Sequence, residues 1–124
     1  MTNDLEQIRD AALTYLDGLY EGDVGKLGRV FHPSCALTAV IDGALKIIPR
    51  DEWFDLVKNR ESPQKAGKQR DDMILAIDLI GPEMAHVKLK CAVPPRYFTD
   101  ILSFLKIDGR WQIAQKVYRV DVRD

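Results

Sequence analysis

Residues 97–107 read YFTDILSFLKI, with apolar side chains on both alternating faces of what can only be a long strand. A strand of an antiparallel sheet with one face in water alternates apolar and polar positions. This one does not, so both of its faces need cover. Helices can cover one face and a second subunit the other, which makes a homodimer through the sheet the economical expectation. Stretches of the same kind run over residues 72–79, 85–93 and 111–122. The punctuation between them is Gly81-Pro82, Pro94-Pro95 and Asp108-Gly109, residues that supply turn backbones. The second half of the chain therefore predicts a meander of long strands.

The first half has a helical period. Leu5, Ile8, Ala12, Tyr15, Leu16 and Leu19 fall on one face of a helix over residues 3–20, with Asn3 and Glu6 spaced as a capping box. Gly18 and Gly22 mark its end. Asp23 can cap a second, shorter helix that presents Val24, Leu27, Val30 and Phe31 and stops at His32-Pro33. Residues 35–41 (CALTAVI) suit a strand, and Asp42-Gly43 is a strong hairpin signal leading to a short second arm at 44–48. Pro49 introduces a third helix at 51–60, offering Trp53, Phe54 and Val57 to the interior. Residues 61–70 (ESPQKAGKQR) read as a loop or mobile rim, and Lys65, Lys68 and Arg70 within it as a solvated turn. Helices followed by a sheet give an α+β class rather than a βαβ repeat.

A chain of 124 residues is the size of one domain spanning 1–124, and 46% hydrophobic with 30% charged residues is globular usage. The net charge of -1, with both signs interspersed, argues against a nucleic-acid surface. No stretch approaches the ~20 apolar residues that a membrane span needs, and no secretory leader is legible, so a cytoplasmic protein without membrane association is expected. Cys35 and Cys91 stand in apolar strand surroundings and read as buried free thiols. No cysteine or histidine spacing suggests a metal. No glycine-rich nucleotide motif, phosphate loop or zinc-protease motif is present, so no cofactor is expected.

The order of these motifs resembles a known family. The helix with Tyr15, the segments LYEGDVGKL and VFHPSCAL, the Asp-Gly hairpin, the helix with DEWF and the final hairpin FTDILSFLKIDGRWQIAQKV are similar to the nuclear transport factor 2-like superfamily. Within it the resemblance is to small bacterial proteins called putative lumazine-binding. The resemblance covers about residues 5–120. It implies a cone-shaped, curved antiparallel sheet wrapped against three helices from the N-terminal half, a cavity open at one end, and pairing through the sheet. Relatives of that fold include ketosteroid isomerase, polyketide cyclases, dehydratases and transport factors, so fold alone leaves catalysis and binding open.

Against the steroid isomerase pattern, Tyr15 matches the tyrosine donor. The base position falls close to Ala39, beside Thr38, and no carboxylate stands there. The second aspartate position falls near Leu102 or Ser103, and Asp100 is expected to point elsewhere or to lie at another depth. Steroid isomerase chemistry is therefore not expected. The histidine-bearing dehydratase and cyclase patterns have His32 and His86 to draw on. The first reads as a helix-terminal imidazole or a ligand contact, the second as a surface residue.

Asp100 is the chemical oddity, because an ionised carboxylate inside an apolar strand is costly unless paired. Regular alternation puts it on one face with Phe98, Leu102, Phe104 and Lys106, and Lys116 on the next strand is a further cationic partner. A structural ion pair, a polar pocket group and an interface role all stay open for it. Trp53, Tyr97, Phe98, Trp111 and Tyr118 supply aromatic surface, with Trp53 suited to a pocket wall and Trp111 to the core. Arg50 and Glu52 read as a solvated helix start. The pocket candidates are Tyr15, His32, Trp53, Phe98, Asp100, Ser103 and Lys116, with no residue assigned a catalytic role. The expected function is binding of a small, heteroaromatic molecule in a mostly apolar cavity. A cofactor-free cyclase-like or dehydratase-like enzyme, with His32 or Asp100 as acid or base and Tyr15 as donor, is the alternative. A protein interaction module without an open pocket is the third.

Overall fold

The computed structural model describes residues 3–123. Among them three helices and six strands occur in the order α1 (Asp4–Glu21), α2 (Val24–Val30), β1 (Ala36–Ile41), β2 (Ala44–Pro49), α3 (Arg50–Asn59), β3 (Met73–Ile80), β4 (Met84–Val93), β5 (Arg96–Ile107) and β6 (Arg110–Val122). The Asn3 side chain accepts the Glu6 amide at 2.8 Å, and Gly22, with φ of 71°, closes α1 in the left-handed conformation that favours glycine. Gly18 lies in the last turn of helix α1. A Cβ at that glycine would come within 2.9 Å of Leu27, so its role is to let α2 approach closely. Asp42 and Asp108 both take positive φ ahead of glycines, at 51° and 52°, which is the backbone that two-residue hairpins require.

In this α+β fold the strands form one curved, unclosed mixed sheet in the order β2-β1-β6-β5-β4-β3, all pairs antiparallel except β1 with β6, which run parallel. The helices pack on its inner face. Ile8, Tyr15 and Leu16 of α1 and Leu27 of α2 are buried against Val87, Leu89, Leu102, Phe104 and Ile113 of the sheet. Along β5 the inward side chains are Phe98, Asp100, Leu102 and Phe104. The outward positions include half-buried Ile101 and exposed Ser103 and Leu105.

Pairing between β5 and β6 breaks step once. Ser103 lies opposite Gln115, but Phe104 lies opposite Ile113, leaving Ala114 as an extra residue. Such a bulge reverses the parity of a strand. Beyond it Ile113 and Lys116, three positions apart, both point inward and are buried.

The segment at 61–70 is a loop, as expected, and it is fastened to α1. Ser62 and Pro63 are buried, the Gln64 amide donates to the Tyr20 carbonyl at 3.1 Å, and the Tyr20 hydroxyl donates to the Lys68 carbonyl at 2.6 Å. Arg70, though exposed, is paired with Asp17 at 2.8 Å and Asp72 at 2.7 Å and stacks over the Tyr20 ring. Paired charge and aromatic contact, absent from a purely local reading, hold the loop down.

The outer face of the sheet leaves Leu45, Ile47, Met84, Leu105 and Val117 exposed. No helix among the described residues is long and apolar enough to cross a membrane.

Candidate functional site

Three polar side chains from three elements meet beneath the helices. Tyr15 sits on the buried stripe of α1, Asp100 on the inward face of β5, and Lys116 is turned inward by the β6 bulge. The Tyr15 hydroxyl donates to Asp100 Oδ2 at 2.5 Å and accepts from Lys116 Nζ at 2.8 Å. Lys116 Nζ lies 3.6 Å from the same carboxylate oxygen. Asp100 is fully buried and Lys116 5% exposed, so each charge depends on the other for compensation. Asp100 Oδ1 has no hydrogen-bond partner among the described residues.

The surroundings set the protonation of this cluster. Burial, then the negative charge of Asp100, raise the Tyr15 pKa well above its ordinary 10.0, so the phenol keeps its proton and stays a donor. The Cys91 thiol lies 3.7 Å from Asp100 Oδ2, and burial followed by that carboxylate pushes its pKa up as well, keeping it neutral. Lys116 Nζ stands 4.7 Å from the Trp53 ring centroid, 5.1 Å from Tyr118 and 5.2 Å from Tyr15. Aromatic faces on three sides replace part of the hydration that the ammonium loses on burial.

Above this cluster opens a pocket of about 440 Å³. Tyr15, Cys91 and Lys116 lie at its inner end, Trp53, Phe98 and Tyr118 in its walls, and Leu37, Ile48, Leu56 and Val120 add aliphatic surface. Exposed Val40, Asp42, Lys46, Arg96 and Val122 also border it, so it reaches the protein surface.

The structure therefore brings together Tyr15, Trp53, Phe98, Asp100 and Lys116, Asp100 lying just behind the pocket floor rather than lining it. Two candidates lie elsewhere. Ser103 is exposed on the outer sheet face opposite His86, because its odd parity on β5 turns it away from Asp100. His32 closes a local turn after α2: its Nδ1 accepts the Ser34 amide at 3.1 Å and lies 2.7 Å from the Ser34 hydroxyl, which keeps the ring outside the pocket lining. Asp100 shares the inward face of β5 with Leu102, two positions along, so it lies at another depth from the steroid isomerase aspartate position, and from there it meets Tyr15. Ala39 is buried on β1, so the carboxylate base of the steroid isomerases remains missing. Arg50 is more than a solvated helix start: it donates to the Phe31 carbonyl at 3.0 Å and stacks on Phe54.

Arg60 and Arg96 also line the pocket, and sequence reasoning passed over both. The signal was present. Arg60 follows Trp53 by seven residues and Leu56 by four, both helical spacings, and Arg96 shares strand parity with Phe98 and Asp100. No group of three or more metal-binding side chains occurs among the described residues.

Comparison with known proteins gives matches along nearly the whole chain. The model of a family described as "Putative lumazine-binding" matches residues 3–119. A curated relative, the aldolase FrzH of Cladobotryum sp, is 24% identical over 119 residues, which cover 94% of this chain and 91% of that protein. A solved NTF2-like protein of unknown function from Shewanella baltica superimposes with a TM-score of 0.86 at 22% identity, covering 99% of this chain and all of that one. Another from Silicibacter pomeroyi gives 0.84 at 23% identity, covering 98% and all of the respective chains.

Proposed function

The chain belongs to the putative lumazine-binding family and has a nuclear transport factor 2-like fold, and from that premise we propose that it binds a small, flat, heteroaromatic molecule in the pocket above Tyr15, Asp100 and Lys116. The observation that carries this reading is a surface-reaching space of about 440 Å³ with aromatic walls and a fixed polar inner end. Pockets of that size and make-up hold compounds by apolar contact and orient them with a few polar groups. Here the Tyr15 proton is committed to Asp100, so the free donors at the inner end are the remaining ammonium protons of Lys116. An unfilled space of this volume weighs against an interaction module whose cavity is plugged by its own side chains.

A second reading, cofactor-free catalysis, is favoured by two observations. A tyrosine, a carboxylate and an ammonium share hydrogen bonds at one end of an open pocket, and FrzH, the 24% identical relative, is named an aldolase. In this reading Lys116 stabilises oxygen charge developing on the substrate and Tyr15 relays protons between Lys116 and Asp100. The chain acts as a single domain. The exposed apolar outer face of the sheet meets a second copy, as the two-faced strand β5 suggests.

Native mass spectrometry of the gently purified protein tests the binding reading, alongside a Val120→Trp variant that fills the pocket. A reproducible small mass on the wild type that is lost from the variant is expected. An adduct retained by Val120→Trp would place the ligand elsewhere and defeat the reading.

A further inference from the structure

The charge of the pocket departs from that of the chain. The protein carries a net charge of -1, yet among the described lining residues Lys46, Arg60, Arg96 and Lys116 stand against Asp42 alone. Lys116 is balanced by Asp100. Arg60 and Arg96 are not balanced, since neither forms an ion pair among the described residues. Arg60 Nη2 is buried with no acceptor. Both guanidinium groups border the same pocket, and burial, and next the charge of Arg96, push the Arg60 pKa down.

A guanidinium does not shed its proton in a protein. A buried N–H without an acceptor is costly, and a second unbalanced positive charge on the same pocket adds to that. One anion between the two groups relieves both. Guanidinium forks fit carboxylates and phosphates alike, and the surrounding backbone separates these. Phosphate sites use helix N-termini and glycine loops. Trp53 and Leu56 of α3 line this pocket, Arg60 caps the C-terminal end of that helix, where the dipole is negative, and no glycine lines the pocket among the described residues. A singly charged, planar group suits that setting better than a phosphate dianion.

We infer that the pocket selects planar aromatic carboxylates, the carboxylate bridging Arg60 and Arg96 and the ring system lying among Trp53, Phe98 and Tyr118. This inference rests on the proposed ligand pocket and names the chemistry it reads.

Isothermal titration calorimetry with 2-naphthoate and 2-naphthamide, which share a ring system and differ in charge, tests it on the full chain. Naphthoate is expected to bind about tenfold tighter than the amide. Arg96→Gln and Arg60→Gln should each weaken naphthoate by about tenfold while leaving the amide unchanged. Arg96 is exposed at the start of β5, so its variant keeps the fold even if Arg60→Gln does not. Equal affinity for both probes, unaltered by Arg96→Gln, would overturn the carboxylate inference and leave the pocket standing. Failure of both probes to bind at millimolar concentration would defeat the inference together with the reading beneath it, and naphthoate binding that survives Val120→Trp would overturn both by placing the anion elsewhere.

Discussion

The Tyr15 hydroxyl donates to Asp100 Oδ2 at 2.5 Å across 85 residues of sequence, joining the first helix to the centre of the sheet. That bond, with Lys116 donating to the same phenol oxygen, turns an otherwise apolar interior into one with a fixed polar point. It costs desolvation of two charges, which the fold accepts because each finds its opposite.

Asp100→Asn removes the negative charge and leaves the Lys116 ammonium buried without compensation. The expected loss is about 3 kcal/mol of unfolding free energy, read from urea denaturation at neutral pH. Lys116→Met should cost a similar amount through the stranded carboxylate. The double variant should lose clearly less than the sum of the two. Strict additivity would mean that the two charges do not depend on each other.

Tyr15→Phe keeps the ring, which packs edge-on to Phe31 at 5.3 Å, and deletes only the oxygen. Asp100 Oδ2 then loses its donor and Lys116 one acceptor, so a destabilisation of about 1–3 kcal/mol is expected. Tyr15→Leu should cost more, since packing goes too. Thermal melts of the two variants, compared at one pH, separate the hydroxyl from the ring. Equal melting of Tyr15→Phe and wild type would show the bond to be dispensable.

Alkaline pH should unfold the protein from the inside. Burial raises the Cys35 pKa from 9.0 to about 11, pushes Cys91 up as well, and holds Tyr15 above its ordinary 10.0. Each is an acid that the folded state keeps neutral while the unfolded chain ionises it at its ordinary value. The stability contribution is therefore whole below roughly pH 8 and declines as pH rises past 9, by about 1.4 kcal/mol per pH unit for each group so held. Urea midpoints measured from neutral to strongly alkaline pH should fall, and Cys35→Ala should fall less steeply. A flat profile would contradict the neutral, buried thiols.

The outer sheet face should hold two copies together. Val117 on β6 and Ile47 on β2 are 53% and 58% exposed in the single chain, and introducing lysine at both sets like charges on an apolar contact. Light scattering after size exclusion should report a dimer for the wild type and a monomer for Ile47→Lys/Val117→Lys. A monomeric wild type would leave the apolar face of β5 unexplained.

Much of the architecture was legible because it rests on short-range rules. Asn3 and Asp23 mark helix starts by side-chain capping, and the Asp-Gly pairs mark hairpins by demanding positive φ. The apolar run of residues 97–107 announces a long strand. The order of motifs was enough to suggest the superfamily. The chain alone also picked out Asp100 as a charge in need of a partner, and Lys116 as a near neighbour able to be one.

What the chain could not decide is direction. Ser103 and Asp100 are three positions apart and differ only in parity, yet one meets solvent and the other the buried cluster. Lys116 faces inward only because Ala114 is an extra residue against β5, a choice made by pairing between strands and invisible along one of them. Arg60 belongs to the pocket because the end of α3 carries it there, and the grip of Arg70 on Asp17 links sites that no local window contains. Local backbone preferences therefore determined the elements, while register, bulge and closure of the cone decided which side chains share the pocket, because contact depends on distances in space that strand pairing alone sets.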